Sequence, residues 1–199
     1  MRIRRINPDE TDLLKVFLYE AIFLPEGVDP PNREIIEQPE LRIYYEAFGS
    51  GKADLCLLAE EDEIIVGAVW SRIMPDYGHV DDHTPSLAIS LLKEYRGRGI
   101  GTRLLREMLD LLREQGYKKV SLSVQKANFA MKMYEKAGFQ TLEEKDEEAI
   151  MLCWLNRCPE PFWLRSGKRR GFARLSGTAA LQSPQKASSH FGIADLPLP

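Results

Sequence analysis

Cysteine is scarce in this chain. Three occur in 199 residues, Cys56, Cys153 and Cys158. Their number is odd and no spacing among them matches a zinc site or a disulfide scaffold, so reduced thiols in a cytoplasmic protein are expected. Histidine is as rare, at three residues. Two of these sit in His79-x-Asp81-Asp82-His83, with no fourth ligand close by in sequence, and no metal is expected. No apolar run approaches the roughly 18 residues that mark a membrane span. Arg2, Arg4 and Arg5 are not followed by the apolar stretch of a signal peptide, so no membrane partner is expected either. No Gly-Lys-Ser/Thr triplet occurs, which excludes a P-loop. A strong charge of one sign is also lacking: the formal net charge is −3. Nucleic acid is therefore not an expected partner of the chain as a whole.

The charge is uneven, however. Residues 156–199 carry seven Lys/Arg against two Asp/Glu, leaving twenty against twenty-eight in residues 1–155. The same boundary separates periodic from aperiodic sequence. Residues 1–155 alternate strand-like and helix-like stretches in the order β-α-α-β-β-β-α-β-α-β-β. The first helix is expected to start at Asn7-Pro8-Asp9-Glu10, with Asn7 as its cap, and the second to carry Leu41, Tyr44, Tyr45 and Phe48 before Gly49 ends it. Residues 156–199 are basic, rich in Gly, Ser and Pro, and read as a flexible tail dispensable to the domain. One α/β domain with a mixed sheet of about seven strands and about four helices is expected, followed by that tail.

The densest information lies in Lys93-Glu94-Tyr95-Arg96-Gly97-Arg98-Gly99-Ile100-Gly101-Thr102. The apolar run Ser86 to Leu92 leads into it as a strand. Ile100, Leu104, Leu105, Met108, Leu111 and Leu112 leave it at the spacing of one buried helix face. Glycines at a strand-to-helix turn allow backbone dihedrals closed to other residues and leave the first helical amides bare. Those amides, the helix dipole, Arg96 and Arg98 make a site for a phosphate or pyrophosphate. A dinucleotide fingerprint would need glycine at position 102, which is Thr102.

The pattern Arg96-x-x-Gly99-x-Gly101 resembles the acyl-CoA pyrophosphate loop of the GNAT superfamily, the Gcn5-related N-acetyltransferases. Downstream, Asn128-x5-Tyr134-Glu-Lys-x-Gly138-Phe139 is similar to that family's other signature, the helix flanking the pantetheine arm. The resemblance covers about residues 2–155. It implies a sheet splayed between two central strands, here those holding Leu91 and Val120–Val124, with acetyl-CoA as co-substrate in the gap. It further implies that backbone groups of Leu91 and Leu92 hold the arm. Amides from Arg96 through Gly97, Arg98, Gly99, Ile100 and Gly101 to Thr102 would hold the pyrophosphate, and Asn128 would bond the arm while capping its helix. By the same resemblance Tyr134 is the general acid that protonates the leaving thiolate.

The reaction so implied is attack of a primary amine, on a small molecule or a peptide, on the thioester. The base is open. The strand before the glycine turn offers only Ser86 and Ser90 where family members often carry a carboxylate. Asp81, Asp82, His83 or a water remain candidates, with Glu20 and Glu60 behind them. Tyr44, Tyr45 and Trp70 are candidates for an acceptor pocket, although core packing is the more ordinary role at such spacings. The alternative function is an acyl-CoA-binding sensor or interaction module of the same fold without turnover. A homodimer is compatible with the sequence.

Overall fold

The structure, a computed structural model, describes residues 1–25 and 27–156. In chain order these form β1 (Arg2–Arg5), α1 (Leu13–Ala21), α2 (Pro39–Arg42), β2 (Leu55–Glu61), β3 (Ile64–Arg72), β4 (Ser86–Leu91), α3 (Ile100–Glu114), β5 (Lys119–Gln125), α4 (Ala130–Lys136), β6 (Phe139–Glu144) and β7 (Glu148–Trp154). Short 3-10 turns occupy Pro8–Glu10, Arg33–Glu37 and Lys93–Tyr95. The seven strands make one mixed sheet, in the order β1-β2-β3-β4-β5-β7-β6. The expected α/β architecture of seven strands and four helices is present. The expected tail lies outside the described residues, apart from Asn156. Among the described residues no helix is long and apolar enough to cross a membrane.

Neighbouring strands are antiparallel except β4 and β5, which run parallel and pair at one position only, Ser86 with Ser121. Past that point the two strands part. The sheet therefore opens between Leu91 at the far end of β4 and Gln125 at the far end of β5.

Strand periodicity assigns the two faces. Leu87, Ile89 and Leu91 of β4 join Val120, Leu122 and Val124 of β5 in the core cluster under α3. On α3 itself Ile100, Leu104, Leu105, Met108, Leu109, Leu111 and Leu112 are all buried, each such side chain contributing about 1.5–3 kcal/mol. The opposite face of the same two strands is different in kind. Ser86, Ser90, Ser121 and Ser123 alternate with those apolar residues, and the Ser90 hydroxyl donates to the Phe17 carbonyl of α1 at 2.6 Å. One face is a dry core under α3, and the other is a row of small hydroxyls under α1.

Three elements depart from their sequence reading. The helix expected to start at Asn7 begins at Leu13 instead. Its capping box does form, but around the 3-10 turn, with the Glu10 carboxylate also bound by the Arg4 guanidinium at 2.6 and 2.7 Å. The second helical stretch is only one turn, Pro39–Arg42. Beyond it Ala47 takes φ 49°, and the hydroxyls of Tyr44 and Tyr45 are tied to Asp76 and to the Ile36 carbonyl. Asn128 sits one residue ahead of the α4 cap, where its Oδ1 accepts from the Ala130 amide at 2.9 Å.

Gly78 fixes the long β3–β4 connection against the parting strands. A Cβ there would lie 2.8 Å from Ser86 Oγ, 2.9 Å from the Ser123 nitrogen and 3.0 Å from the Leu122 carbonyl carbon. Two of these are backbone atoms that cannot swing aside. Gly78→Ala should therefore destabilise the protein by about 1–3 kcal/mol, the usual range for an overpacked site. Urea unfolding checks this, and a midpoint equal to wild type would mean that the loop is not seated on β5.

Candidate active site

The glycine turn links β4 to α3. Gly97 and Gly99 have φ of 75° and 81°, values that only glycine adopts freely, and a Cβ at either would meet nothing within 4 Å. Glycine is required there by the backbone, and the space above the turn is open. The first helical bond is Arg103 N to the Gly99 carbonyl at 3.2 Å. The amides of residues 97 to 102 donate to no acceptor among the described residues. Several bare N–H groups thus lie beside open space at the positive end of a fifteen-residue helix. These residues fit an anionic group such as a pyrophosphate.

The two arginines of the turn are already engaged. Arg96 Nε donates to the Leu91 carbonyl at 3.0 Å, and its Nη2 reaches both the Glu20 carbonyl and the Glu20 carboxylate at 3.0 Å. The side chain binds the end of β4 to the C-terminal turn of α1. Arg98 Nη2 contacts both oxygens of Glu61, at 2.7 and 3.0 Å, and its guanidinium lies 5.2 Å from the Tyr95 ring centroid. Both side chains remain about half exposed, so these pairs are loose, solvent-screened contacts. Glu20 is held as an ion-pair partner, and Glu60 likewise receives Arg4 Nε at 2.8 Å.

Leu91 and Leu92 differ in what they can offer. The Leu92 amide donates to the Val66 carbonyl at 3.0 Å, inside the sheet. Antiparallel strands present their amides to alternate sides. The Leu91 amide, in register with Gly67, therefore faces the β5 side, where the ladder has ended. A Cβ on Gly101 would lie 3.5 Å from Leu91 Cδ1 and 3.6 Å from Met133 Sδ. Leu91, the start of α3 and the middle of α4 thus meet at one place.

Tyr134 is on α4, 8% exposed, with its ring centroid 5.8 Å from that of Phe139. Its side chain belongs to the cluster under α3. Burial alone raises its phenol well above the ordinary value near 10, and no hydrogen bond offsets the rise. The proton therefore stays on the hydroxyl throughout the neutral range.

The base candidates fall in the loop between β3 and β4. Asp81 accepts from the His83 amide at 2.9 Å and the Thr84 hydroxyl at 2.7 Å, and it pairs with the Lys119 ammonium. These partners outweigh its desolvation and pull it down to about 2. Asp81 is a loop clasp and a poor proton acceptor. Asp82 and His83 are exposed, Asp82 lying 3.8 Å from His79 Nε2. Among the described residues no group of side chains could hold a metal ion.

One residue was missed from sequence. Asp76, in the same loop, accepts on Oδ2 from the Tyr44 hydroxyl at 3.1 Å and the Ser86 hydroxyl at 2.5 Å. Its Oδ1 is closed off from solvent and has no hydrogen-bond partner. Desolvation raises its pKa to about 6 against the lowering effects of Ser86, Tyr44 and His79. No local pattern marks Asp76 out, because its partners lie 32 residues before it and 10 after it. Of the aromatic candidates, Tyr44 is at this cluster. Trp70 is wholly buried with its Nε1 unpartnered, and Tyr45 faces outward to Glu37.

Comparison with known proteins agrees with this fold. The chain is 33% identical over 94 residues to N-alpha-acetyltransferase 50 of Danio rerio, a match spanning 46% of this chain and 55% of that protein. It is 27% identical over 109 residues to the [ribosomal protein bS18]-alanine N-acetyltransferase of Haemophilus influenzae, 49% of this chain and 70% of that one. The chain thus spans little more than half the length of the first of these relatives. Among solved structures, the fold is similar to that of yncA from Salmonella typhimurium, solved with its cofactor acetyl-CoA. The TM-score is 0.57 at 16% identity, over 81% of this chain and 97% of that one. The model of the acetyltransferase (GNAT) family matches residues 21–139, and this chain belongs to that family.

Proposed function

We infer that the protein transfers an acetyl group from acetyl-CoA to a primary amine by direct attack of the amine on the thioester. The observation that carries this reading is the set of unmet backbone donors at the open seam of the sheet: the bare amides of residues 97–102 and the gap-facing amide of Leu91. Helix α4, which bears Tyr134, comes to the same place through Met133, next to Gly101 and Leu91. Acetyl-CoA supplies the activated acyl carbon when bound. The amides of Gly97 to Thr102 would receive its pyrophosphate, and the Leu91 backbone would pair with the arm as a neighbouring strand does. The Asn128 side-chain NH2, free while its oxygen caps α4, would bond the same arm. Tyr134 would give its proton to sulfur as the C–S bond breaks. Because burial holds that proton tightly, the hydroxyl is always loaded, and its pull on the developing thiolate matters more than its ground-state acidity.

The names of the two relatives speak for amino groups of proteins, and the acceptor here is either a peptide amine or a small-molecule amine. A cytoplasmic setting is part of the reading, supported by the two buried free thiols Cys56 and Cys153. The β4 face that bears only Ser86 and Ser90 favours the second reading, an acyl-CoA-binding module without turnover. A panel of amines and short peptides, assayed for CoA release from acetyl-CoA, decides between them. Binding of acetyl-CoA with no release for any amine would leave the module reading.

Substitutions at two positions test the parts. Gly99→Glu puts a carboxylate over the bare amides and should weaken acetyl-CoA binding at least tenfold by calorimetry. Gly99→Asn, which tolerates the same left-handed backbone without the charge, should bind substantially better than Gly99→Glu. Equal binding by Gly99→Glu and wild type would remove the cofactor from this turn. Tyr134→Phe keeps the ring and deletes the proton, so acetyl-CoA affinity should hold while turnover drops about 10²–10⁴-fold. The decisive measurement is a pre-steady-state acetyl-transfer rate, and an unchanged rate would make Tyr134 a packing residue.

A further inference from the structure

The geometry points to Asp76 as the group that receives the acceptor amine and takes its proton, with Oδ1 as the accepting atom. This rests on the acetyl-transfer reading and adds to it the base and the acceptor's location.

The two oxygens of Asp76 are unlike. Oδ2 holds the Tyr44 and Ser86 hydroxyls, whereas Oδ1 is buried with no partner. A buried carboxylate oxygen without a donor is destabilising, and it is tolerated where a ligand completes it. An ammonium or amine N–H is the donor that chemistry calls for. The placement agrees. Ser86, which grips Asp76, is the one residue of β4 paired with β5, so the carboxylate stands at the apex where the strands begin to part. Gly78, two residues on, packs against the backbone of Leu122 and Ser123 on β5. Asp76 is bonded to Ser86 on the serine face, beneath α1, while Tyr134 belongs to the cluster on the α3 face. A thioester in the seam would thus have a proton acceptor toward one face and a proton donor toward the other. Tyr44 and Asp76 itself lie in segments 43–54 and 73–85, which hold no helix or strand to break when an acceptor enters.

The protons balance. The ammonium gives its first proton to Asp76 Oδ1, and that proton leaves to solvent once the product departs and opens the site. The freed lone pair forms the C–N bond, and the C–S bond breaks with its electrons on sulfur. Sulfur takes a proton from Tyr134, and the second proton lost from nitrogen restores the phenol. A carboxylate that titrates near 6 is ionised at neutral pH and still basic enough to serve. Burial raises its titration, and the groups that lower it are Ser86 from β4, Tyr44 from the segment after α2, His79 from its own loop and its own backbone amide. Tyr77 and the buried Glu148 of β7 act on the same Tyr44 phenol.

The test begins with the ligand-free protein. A carbon-13 titration of the Asp76 carboxyl, assigned by its loss in Asp76→Asn, should show a midpoint near pH 6, and a midpoint below about 4.5 overturns the proposal. With an amine that the wild type acetylates, kcat/KM should fall on an acid limb near pH 6. Asp76→Asn should abolish that limb and lower the rate at pH 7 by about 10²–10⁴-fold, with acetyl-CoA affinity unchanged. The variant's rate should climb about tenfold per pH unit as free amine forms in solution. Ser86→Ala and Tyr44→Phe each remove a donor that lowers this carboxyl, so each should move the limb to higher pH, a shift that lost packing alone would not produce. These two keep the test decisive if Asp76→Asn fails to fold, since an unmoved limb in both overturns the proposal. CoA release that survives Asp76→Asn unchanged overturns the proposal alone. No release by wild type with any amine overturns the acetyl-transfer reading and the proposal with it.

Discussion

The single pairing of Ser86 with Ser121 is what the rest of the structure is arranged around. A parallel strand pair normally continues its slanted ladder for several residues. Here one bridge, reinforced by the Ser121 amide on the Pro85 carbonyl at 2.9 Å, is followed by divergence. The sheet becomes two halves, β1 to β4 and β5-β7-β6, joined at an apex. Hydrogen bonds cannot hold them together beyond it. The apolar face of α3 does so instead, since its cluster draws on Leu57, Val66 and Val69 from one half and on Val120, Leu122 and Met151 from the other. Hydrophobic burial, which has no direction, bridges a seam that directional bonds leave open.

An open seam leaves backbone groups that must find partners elsewhere. The Leu91 carbonyl finds Arg96, and that contact also carries Glu20 of α1. The Leu91 amide faces the gap. The bare amides of the glycine turn continue the same row of unmet donors. Polar demand thus collects at the end of β4 and the start of α3, and an anionic ligand with acceptors spaced along it would fit that demand. The two faces of β4 and β5 divide the remaining work. Valine, leucine and isoleucine make the α3 side dry. Ser86, Ala88 and Ser90 of β4 with Ser121 and Ser123 of β5 keep the α1 side small.

Much of this was legible in the sequence, for particular reasons. The β4 run, the glycines and the spacing of Ile100 to Leu112 are local signals. They gave the strand, turn and helix nearly to the residue, and the motif around Asn128 and Tyr134 gave α4. The stretch from Pro39 to Phe48 has helical spacing too, yet it forms one turn, because Tyr44 is drawn to Asp76 and Tyr45 to the Ile36 carbonyl. Those are long-range bonds that no window contains. Asp76 was invisible for the same reason. Read as sequence it is one acid in a polar loop that also holds Asp81 and Asp82, and only the fold decides which is buried. Arg96 and Arg98 read as free positive charge, whereas Glu20 and Glu61, distant in sequence, engage both.

The Asp76 carboxyl has a bearing on what kind of pressure shaped this chain. A rise from 3.8 to about 6 corresponds to roughly 3 kcal/mol by which the folded state disfavours the ionised group at neutral pH. That is a large share of the 5–15 kcal/mol of net stability typical of folded proteins. An asparagine at position 76 could keep both hydroxyl partners on its oxygen and carry no charge, leaving a neutral NH2 where the bare oxygen now lies. The acid is the residue whose ionised form the fold disfavours. Its presence at the apex of the seam, with one oxygen left bare, marks a position where selection has weighed something above the folding equilibrium.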